Sequence, residues 1–279
     1  MCIRDRSYTE ETAGRDPRMA QTVLCPGYIA KGEESVTAND MTAMTGYEPI
    51  KFVSTAAHSG ASKGTSDWPL FRTAEVYLNY AEAKAELGTL TKDDLLISID
   101  RIRDRAGMKG LDMAAANANP DPFLLACYPN VTKSENTGVI LEIRRERTIE
   151  LVMEGLRMWD MFRWKEGAQL VNETNPYYGI YFSGPGLYDM DGDGRNDLEL
   201  YVDKQTSSPA DGLTVLRIGS DIILSDMAEN RGYVVAWSTL KYTWNEERDY
   251  LWPIPADQRV LTGGLLTQNP GWTDSTDFD

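Results

Sequence analysis

The sequence predicts a mainly α-helical fold in which helical hairpins stack as an α-α superhelix, with loop-rich and short-strand insertions. Three observations predict it. Apolar residues recur at helical spacing from Leu70 to Ala85 and from Leu95 to Ala106; the connector between these two stretches is short; and the stretches without periodicity are rich in Gly, Pro, Asn, Asp and Ser. With 279 residues, 42% of them hydrophobic, and seven Trp, the chain can bury a sizeable core in one domain or two.

Residues 1–66 read as a loop-rich N-terminal segment. Met1 to Arg18 is too charged to contain the apolar core of a signal peptide, so Cys2 is not a lipidation site and the chain reads as starting within a longer protein. From Arg18 to Ser66 short apolar pieces such as Tyr47 to Val53 predict at most short strands between loops. Residues 67–279 carry the organised part. Asp67, Trp68 and Pro69 supply a helix start, and Leu70, Ala74, Tyr77, Leu78, Ala81 and Ala85 form one apolar face opposite Arg72, Glu75, Asn79, Glu82 and Glu86. Gly88 ends this helix. Thr91 and Asp94 form a capping box for a second helix, whose stripe of Leu95, Ile99, Ile102 and Ala106 stops at Gly107. The connector of about three residues makes the two antiparallel neighbours. After a Pro/Asn-rich loop over 117–133, a second pair is expected, with helices over about 137–154 and 156–168. Hairpins over about 67–107 and 137–168 suggest a TPR-like stack, although their spacing is irregular. Beyond Val171 the chain predicts loops and short strands, including 198–202 and 222–224, and the proline-fixed Tyr250 to Pro255 excludes helix.

Composition narrows the function. With 43 acidic and 28 basic residues the net charge is −15, which repels nucleic acid and anionic lipid and leaves uncharged ligands such as neutral glycans open. Cys2, Cys25 and Cys127 form neither a disulfide framework nor a metal-ligand spacing. The lone His58 lies in a Gly/Ser/Ala-rich stretch and reads as a loop residue, so a His-based triad or zinc site has little support. No stretch approaches the roughly 18 apolar residues of a membrane span.

Three constellations merit weighing. Glu142, Glu146, Glu150 and Glu154 fall four apart on one helix face, a spacing like that of a glycosidase pair, but Arg144, Arg145, Arg147 and Arg157 beside them lower carboxylate pKa values and favour an ion-pair network tying two helices together. Of the tryptophans, Trp159, Trp164, Trp252 and Trp272 are expected in the core, whereas Trp237 and Trp244 are freer to face solvent. Finally, Asp189, Asp191, Asp193 and Asp197 with the backbone carbonyl of Arg195 follow a calcium-loop pattern, Gly194 standing at position 6. Position 12 is Leu200 in place of a bidentate Glu, so an EF-hand-like loop outside an EF-hand fold is expected, completed by Glu199 or a distant carboxylate, with Ca2+ in a structural role.

Four segments together resemble the SusD/RagB family: Phe71 to Ala83, Arg101 to Gly107, Glu142 to Asp160, and Asp249 to Pro255 with Leu266 to Trp272. Their order and spacing cover residues 67–272. The resemblance implies a mainly helical TPR-like fold, a lipid anchor in the outer membrane, and capture of oligosaccharide or polysaccharide for a SusC-like TonB-dependent transporter. The family's N-terminal half, with its signal peptide and lipobox cysteine, is absent here, so no glycan-contacting residue carries over by motif. A non-catalytic glycan-binding protein is therefore expected. An α-helical glycoside hydrolase and a TPR-type protein adaptor are the rival readings.

Overall fold

The computed structural model describes residues 5–58, 60, 62–67, 69–171, 177–208, 212–237, 239 and 243–273. In chain order the helices are α1 (Tyr8–Thr12), α2 (Met19–Thr22), α3 (Thr73–Glu86), α4 (Lys92–Ile97), α5 (Ile99–Arg105), α6 (Met113–Ala118), α7 (Pro122–Cys127), α8 (Thr137–Glu150), α9 (Arg157–Arg163) and α10 (Ala256–Leu261). The strands are β1 (Tyr178–Phe182), β2 (Gly186–Tyr188), β3 (Leu198–Tyr201), β4 (Thr214–Arg217), β5 (Leu224–Asp226) and β6 (Arg231–Val235). The chain divides into two compact units, one of Met1–Thr73, Asp100–Gly110 and Tyr177–Leu240, the other of Ala74–Ile99, Leu111–Pro176 and Lys241–Asp279. The fold is thus mixed helical with short strands. A regular superhelix is not evident in it.

The first unit is built on two three-stranded sheets, ordered β1-β6-β5 and β2-β3-β4. In the second sheet β2 pairs with β3 antiparallel and β3 with β4 parallel, Leu198 facing Thr214 and Leu200 facing Leu216. Both faces of β3 are covered, and Leu198, Leu200, Ile180, Phe182, Met190, Ile218, Leu224 and Val234 gather with Tyr8 in one apolar core. The expected strands near 198–202 and 222–224 are present, the latter shifted to Leu224–Asp226. The N-terminal segment is more ordered than its composition suggests. Ser7 and Glu10 form a capping box on α1, and Tyr8 inserts into the core with its hydroxyl donating to the Leu24 carbonyl. His58 is exposed in a single 3-10 turn, with Nδ1 3.1 Å from Thr55 Oγ1. Cys25 is buried and Cys127 partly so, and neither is in a disulfide, while Cys2 lies outside the described residues.

The second unit is helical. Helix α3 starts at Thr73, a few residues later than Pro69 predicts, and Leu70 and Phe71 are left exposed; Trp68 lies outside the described residues. Its C-terminus closes as foreseen. Gly88 takes φ +69°, Thr89 N–H donates to the Lys84 carbonyl at 2.9 Å and Gly88 N–H to the Ala85 carbonyl at 3.0 Å, the paired bonds of a Schellman end. The Thr91–Asp94 capping box is formed in both directions. The helix it starts is broken, however. Ser98 Oγ donates back to the Asp94 carbonyl at 2.5 Å, and the Ser98 backbone leaves the helical region, so α4 and α5 are separate and the chain passes between units there.

The loop expected over 117–133 contains helix. Asp121 caps α7, accepting from Phe123 N–H at 2.8 Å, with Pro122 at the first helical position, and Asp112 caps α6 in the same way. Helix α8 ends at Glu150, four residues short of the expected 154, because Met153 and Gly155 take positive φ. Helix α9 ends at Arg163 where 168 is expected, with Lys165 again at positive φ and a 3-10 turn following. No helix among the described residues is long and apolar enough to cross a membrane.

Candidate functional site

The second unit contains a cleft of about 450 Å3 whose walls are α3 and α9 and whose floor is α8. The polar face of α3 supplies Glu75, Asn79, Glu82 and Glu86, spaced so that all four share one side of the helix. From α8 comes Arg147. From α9 come Asp160 and Arg163, with Leu156 and Trp159 beside them.

Below the cleft the charges are paired off. Arg147, 3% exposed, donates from Nε and Nη2 to the two oxygens of Asp160 at 3.0 and 2.9 Å and from Nη1 to Asn79 Oδ1 at 2.6 Å. Its Nε also lies 3.5 Å from Glu82. Arg163 grips Glu82 with a fork, Nη1 to Oε1 at 2.5 Å and Nη2 to Oε2 at 2.6 Å, and donates to Asp160 as well. Trp164 Nε1 gives Glu82 a further bond at 2.6 Å. Burial alone would lower the Arg163 pKa, but Glu82 and Asp160 hold it above its usual value. A second knot lies beside the first. The Arg144 guanidinium sits over the rings of Trp164 and Tyr128, 4.6 and 5.4 Å from their centroids, with Glu166 at 3.6 Å and Glu86 at 3.5 Å. Burial lowers the Arg144 pKa against these carboxylates, and burial pushes Glu166 up to about 6 despite the Asn130 N–H and Arg144.

The expected network joining helices is present, and it draws acids from well beyond the Glu142 helix face. The α8 arginines pair with Glu82 and Glu86 of α3, Asp160 of α9, Glu166, and Asp121 at the cap of α7, and Arg145 also with Glu142 on its own helix. Glu146 and Glu150 are buried, and Glu154 falls beyond the helix end. Sequence spacing finds partners within one helix and misses those brought by packing.

The tryptophans also need revision. Trp164 is buried as expected, but Trp159 is 53% and Trp252 60% exposed. Trp237 is half exposed, in line with its loop context. Trp244 is not turned to solvent: it packs edge to face against Phe162 and Tyr250 at 5.6 and 5.0 Å and lies on Gly167, where an added Cβ would stand 1.9 Å from the indole. Trp272 is partly buried, its Nε1 donating to the Leu251 carbonyl and its ring facing Arg248 at 4.9 Å.

In the first unit the aspartate loop connects β2 to β3, closed by Asp197 N–H donating to the Tyr188 carbonyl at 2.9 Å. It stands in a β-hairpin, outside any helix pair. Asp189, Asp191 and Asp197 bring carboxylate oxygens within 4.8 Å of one another; Asp193 stands outside this triplet, exposed, with Oδ1 accepting from Arg195 N–H at 2.7 Å. Asp189 accepts from Gly192 and Gly194, and Asp197 from Met190. Burial raises the Asp191 pKa, opposed by the Asp193 N–H and reinforced by the three neighbouring aspartates. Glu199 is committed elsewhere. Its carboxylate accepts from Thr206 N–H and Oγ1 and from Ser207 N–H, which hold its pKa at about 2 although burial opposes them. Leu200, at position 12, is in the core.

Comparison with known proteins agrees with this architecture. No functionally curated protein matches the chain. Among solved structures, it is similar to a SusD-like protein from Bacteroides fragilis NCTC 9343, with 21% identity and a TM-score of 0.52, over 94% of this chain and 40% of that one. It is similar too to a SusD-like carbohydrate binding protein from the same organism, with 21% identity and a TM-score of 0.53, over 92% of this chain and 42% of that one. The chain thus spans about two fifths of the length of the structures it matches. The SusD family model, SusD/RagB, matches residues 3–272, nearly the whole sequence, and the chain belongs to the SusD family.

Proposed function

We propose that this chain is part of a non-catalytic glycan-binding protein that captures oligosaccharides at the outer membrane and delivers them to a SusC-like TonB-dependent transporter. Family membership supports the reading, as does the likeness in fold to a protein described as carbohydrate binding. One observation in the site carries it. The cleft combines a half-exposed indole with amide and carboxylate groups, while its buried acids, Glu82 and Asp160, are each held by arginine. Glycoside hydrolysis needs an acid kept protonated near neutral pH beside a second carboxylate. The oxygens of Glu82 and Asp160 are taken up by arginine hydrogen bonds, and Glu166, which is pushed upward, is buried against Arg144 outside the cleft lining. Affinity electrophoresis in gels containing polysaccharides tests the reading. Retardation without release of reducing sugar is expected; sugar release abolished by changing one Glu would establish the hydrolase, and peptide capture with no retardation would establish the adaptor.

We infer in addition that the β2–β3 loop takes Ca2+ in a structural role. The donors are all oxygen, as a hard cation requires, and Asp191 is 5% exposed beside two other carboxylates, an arrangement whose repulsion a divalent ion relieves. Asp189, Asp191 and Asp197 would hold it, with Asp193 and the Arg195 carbonyl as the outer members of the loop. Millimolar Ca2+ should raise the melting temperature of the native chain and not that of Asp191→Asn. Absence of both calorimetric heat and stabilisation overturns the assignment.

A further inference from the structure

We propose that the cleft between α3 and α9 is a subsite for a neutral pyranose unit, with Trp159 as its stacking platform; this deepens the glycan-binding reading and rests on it. The indole is 53% exposed although α9 is otherwise anchored by buried Asp160 and Met161, so the ring is presented by a rigid element. A flat apolar face of that kind matches the C–H side of a sugar ring. Polar groups converge on the same space. Asn79, whose carbonyl accepts from Arg147, lines the cleft and carries an amide that can donate, and Glu75 stands on the same wall as an acceptor for hydroxyls. The volume, about 450 Å3, lies within the range of roughly 300–1,000 Å3 typical of small-molecule sites.

Charge selects the class of sugar. The cleft lining sets four carboxylates, Glu75, Glu82, Glu86 and Asp160, against two guanidiniums, Arg147 and Arg163, which are both bound to Glu82 and Asp160, while Glu86 lies 3.5 Å from Arg144. A uronate or sulfated sugar would meet an excess of carboxylates and arginines already engaged by them. A neutral ring meets hydrogen-bonding groups and an indole.

The experiment measures affinity of the chain for soluble starch, galactomannan, polygalacturonate and an oligolysine peptide, for the wild type and for Trp159→Ala, Trp159→Phe and Trp252→Ala. Trp252 is also exposed but lies outside the cleft, and circular dichroism reports the folding of each variant. Retention on a neutral polysaccharide should fall about tenfold in Trp159→Ala, recover in part in Trp159→Phe, and hold in Trp252→Ala. Retention on a neutral polysaccharide that ignores Trp159→Ala overturns the subsite and leaves the glycan-binding reading standing. Failure to bind any of the three polysaccharides overturns both. Binding of polygalacturonate or oligolysine that Trp159→Ala abolishes overturns the neutral assignment in favour of a charged guest.

Discussion

At the residue scale, the second unit depends on a few charges that have left water together. Arg147 and Asp160 are 3% and 4% exposed; Arg147 is held by Asp160, Glu82 and Asn79, and Asp160 by Arg147 and Arg163. Removing one member strands the rest, which costs about 3–5 kcal/mol, whereas intact pairs add little over apolar packing. Arg147→Met should therefore destabilise the chain by that amount in urea titration, and a loss below about 1 kcal/mol would mean that Arg163 alone suffices to hold Asp160 and Glu82. Glu166 behaves differently. Burial raises it from 4.5 to about 6, so its folded form prefers the proton. Its contribution to stability is complete below about pH 4.5 and is lost as pH rises through about 6. Glu166→Gln, which carries no titrating group, should match the wild type in melting temperature near pH 5 and exceed it near pH 7.5. A difference that does not change with pH would show that Arg144 fully offsets the buried charge.

At the element scale, the interactions that start and stop α3 and α4 act locally and can be tested locally. Thr91 Oγ1 accepts from Asp94 N–H at 3.2 Å, and Asp94 returns bonds to the Thr91 N–H and hydroxyl at 2.8 and 2.7 Å. Thr91→Ala should cost about 1 kcal/mol in denaturant titration, with the hydrogen-exchange protection of α4 falling more than that of α8. The same locality explains what was legible. Helix ends at Gly88, Gly107 and Thr91 could be read because caps and left-handed glycines are set by neighbours in sequence. Helix α7 was equally encoded, by Asp121 and Pro122, but a Pro/Asn-rich composition hid it. The break at Ser98 was not legible, since the apolar stripe of Leu95, Ile99 and Ile102 runs through it unchanged. For the cleft, the acidic face of α3 was visible as a face. That Arg147 and Arg163 would meet it, and that Trp159 would stand open beside it, depended on contacts some 68 to 81 residues apart in sequence.

At the scale of the whole molecule, α3 presents two apolar sides. Leu78, Ala81 and Ala85 are buried, as an amphipathic helix requires, but Val76, Tyr80 and Leu87 form a second stripe on another face, 61%, 39% and 74% exposed. Leu70 and Phe71, just before the helix, are 81% and 89% exposed. Helices that are apolar on most sides are ordinarily covered, and contiguous exposed apolar surface binds other surfaces of its kind. Repeat-like helix pairs carry this hazard in particular, because each buries its remaining face against a neighbour. The isolated chain should accordingly bind a hydrophobic dye in its native state and self-associate as its concentration rises. Val76→Lys with Leu87→Lys replaces two exposed side chains on the stripe without touching Leu78, Ala81 or Ala85, so dye fluorescence and association should both fall while the melting temperature changes little. A chain that melts cooperatively, stays monomeric and binds no dye would show that the α3 stripe is covered in solution, and the lysine pair would then destabilise it.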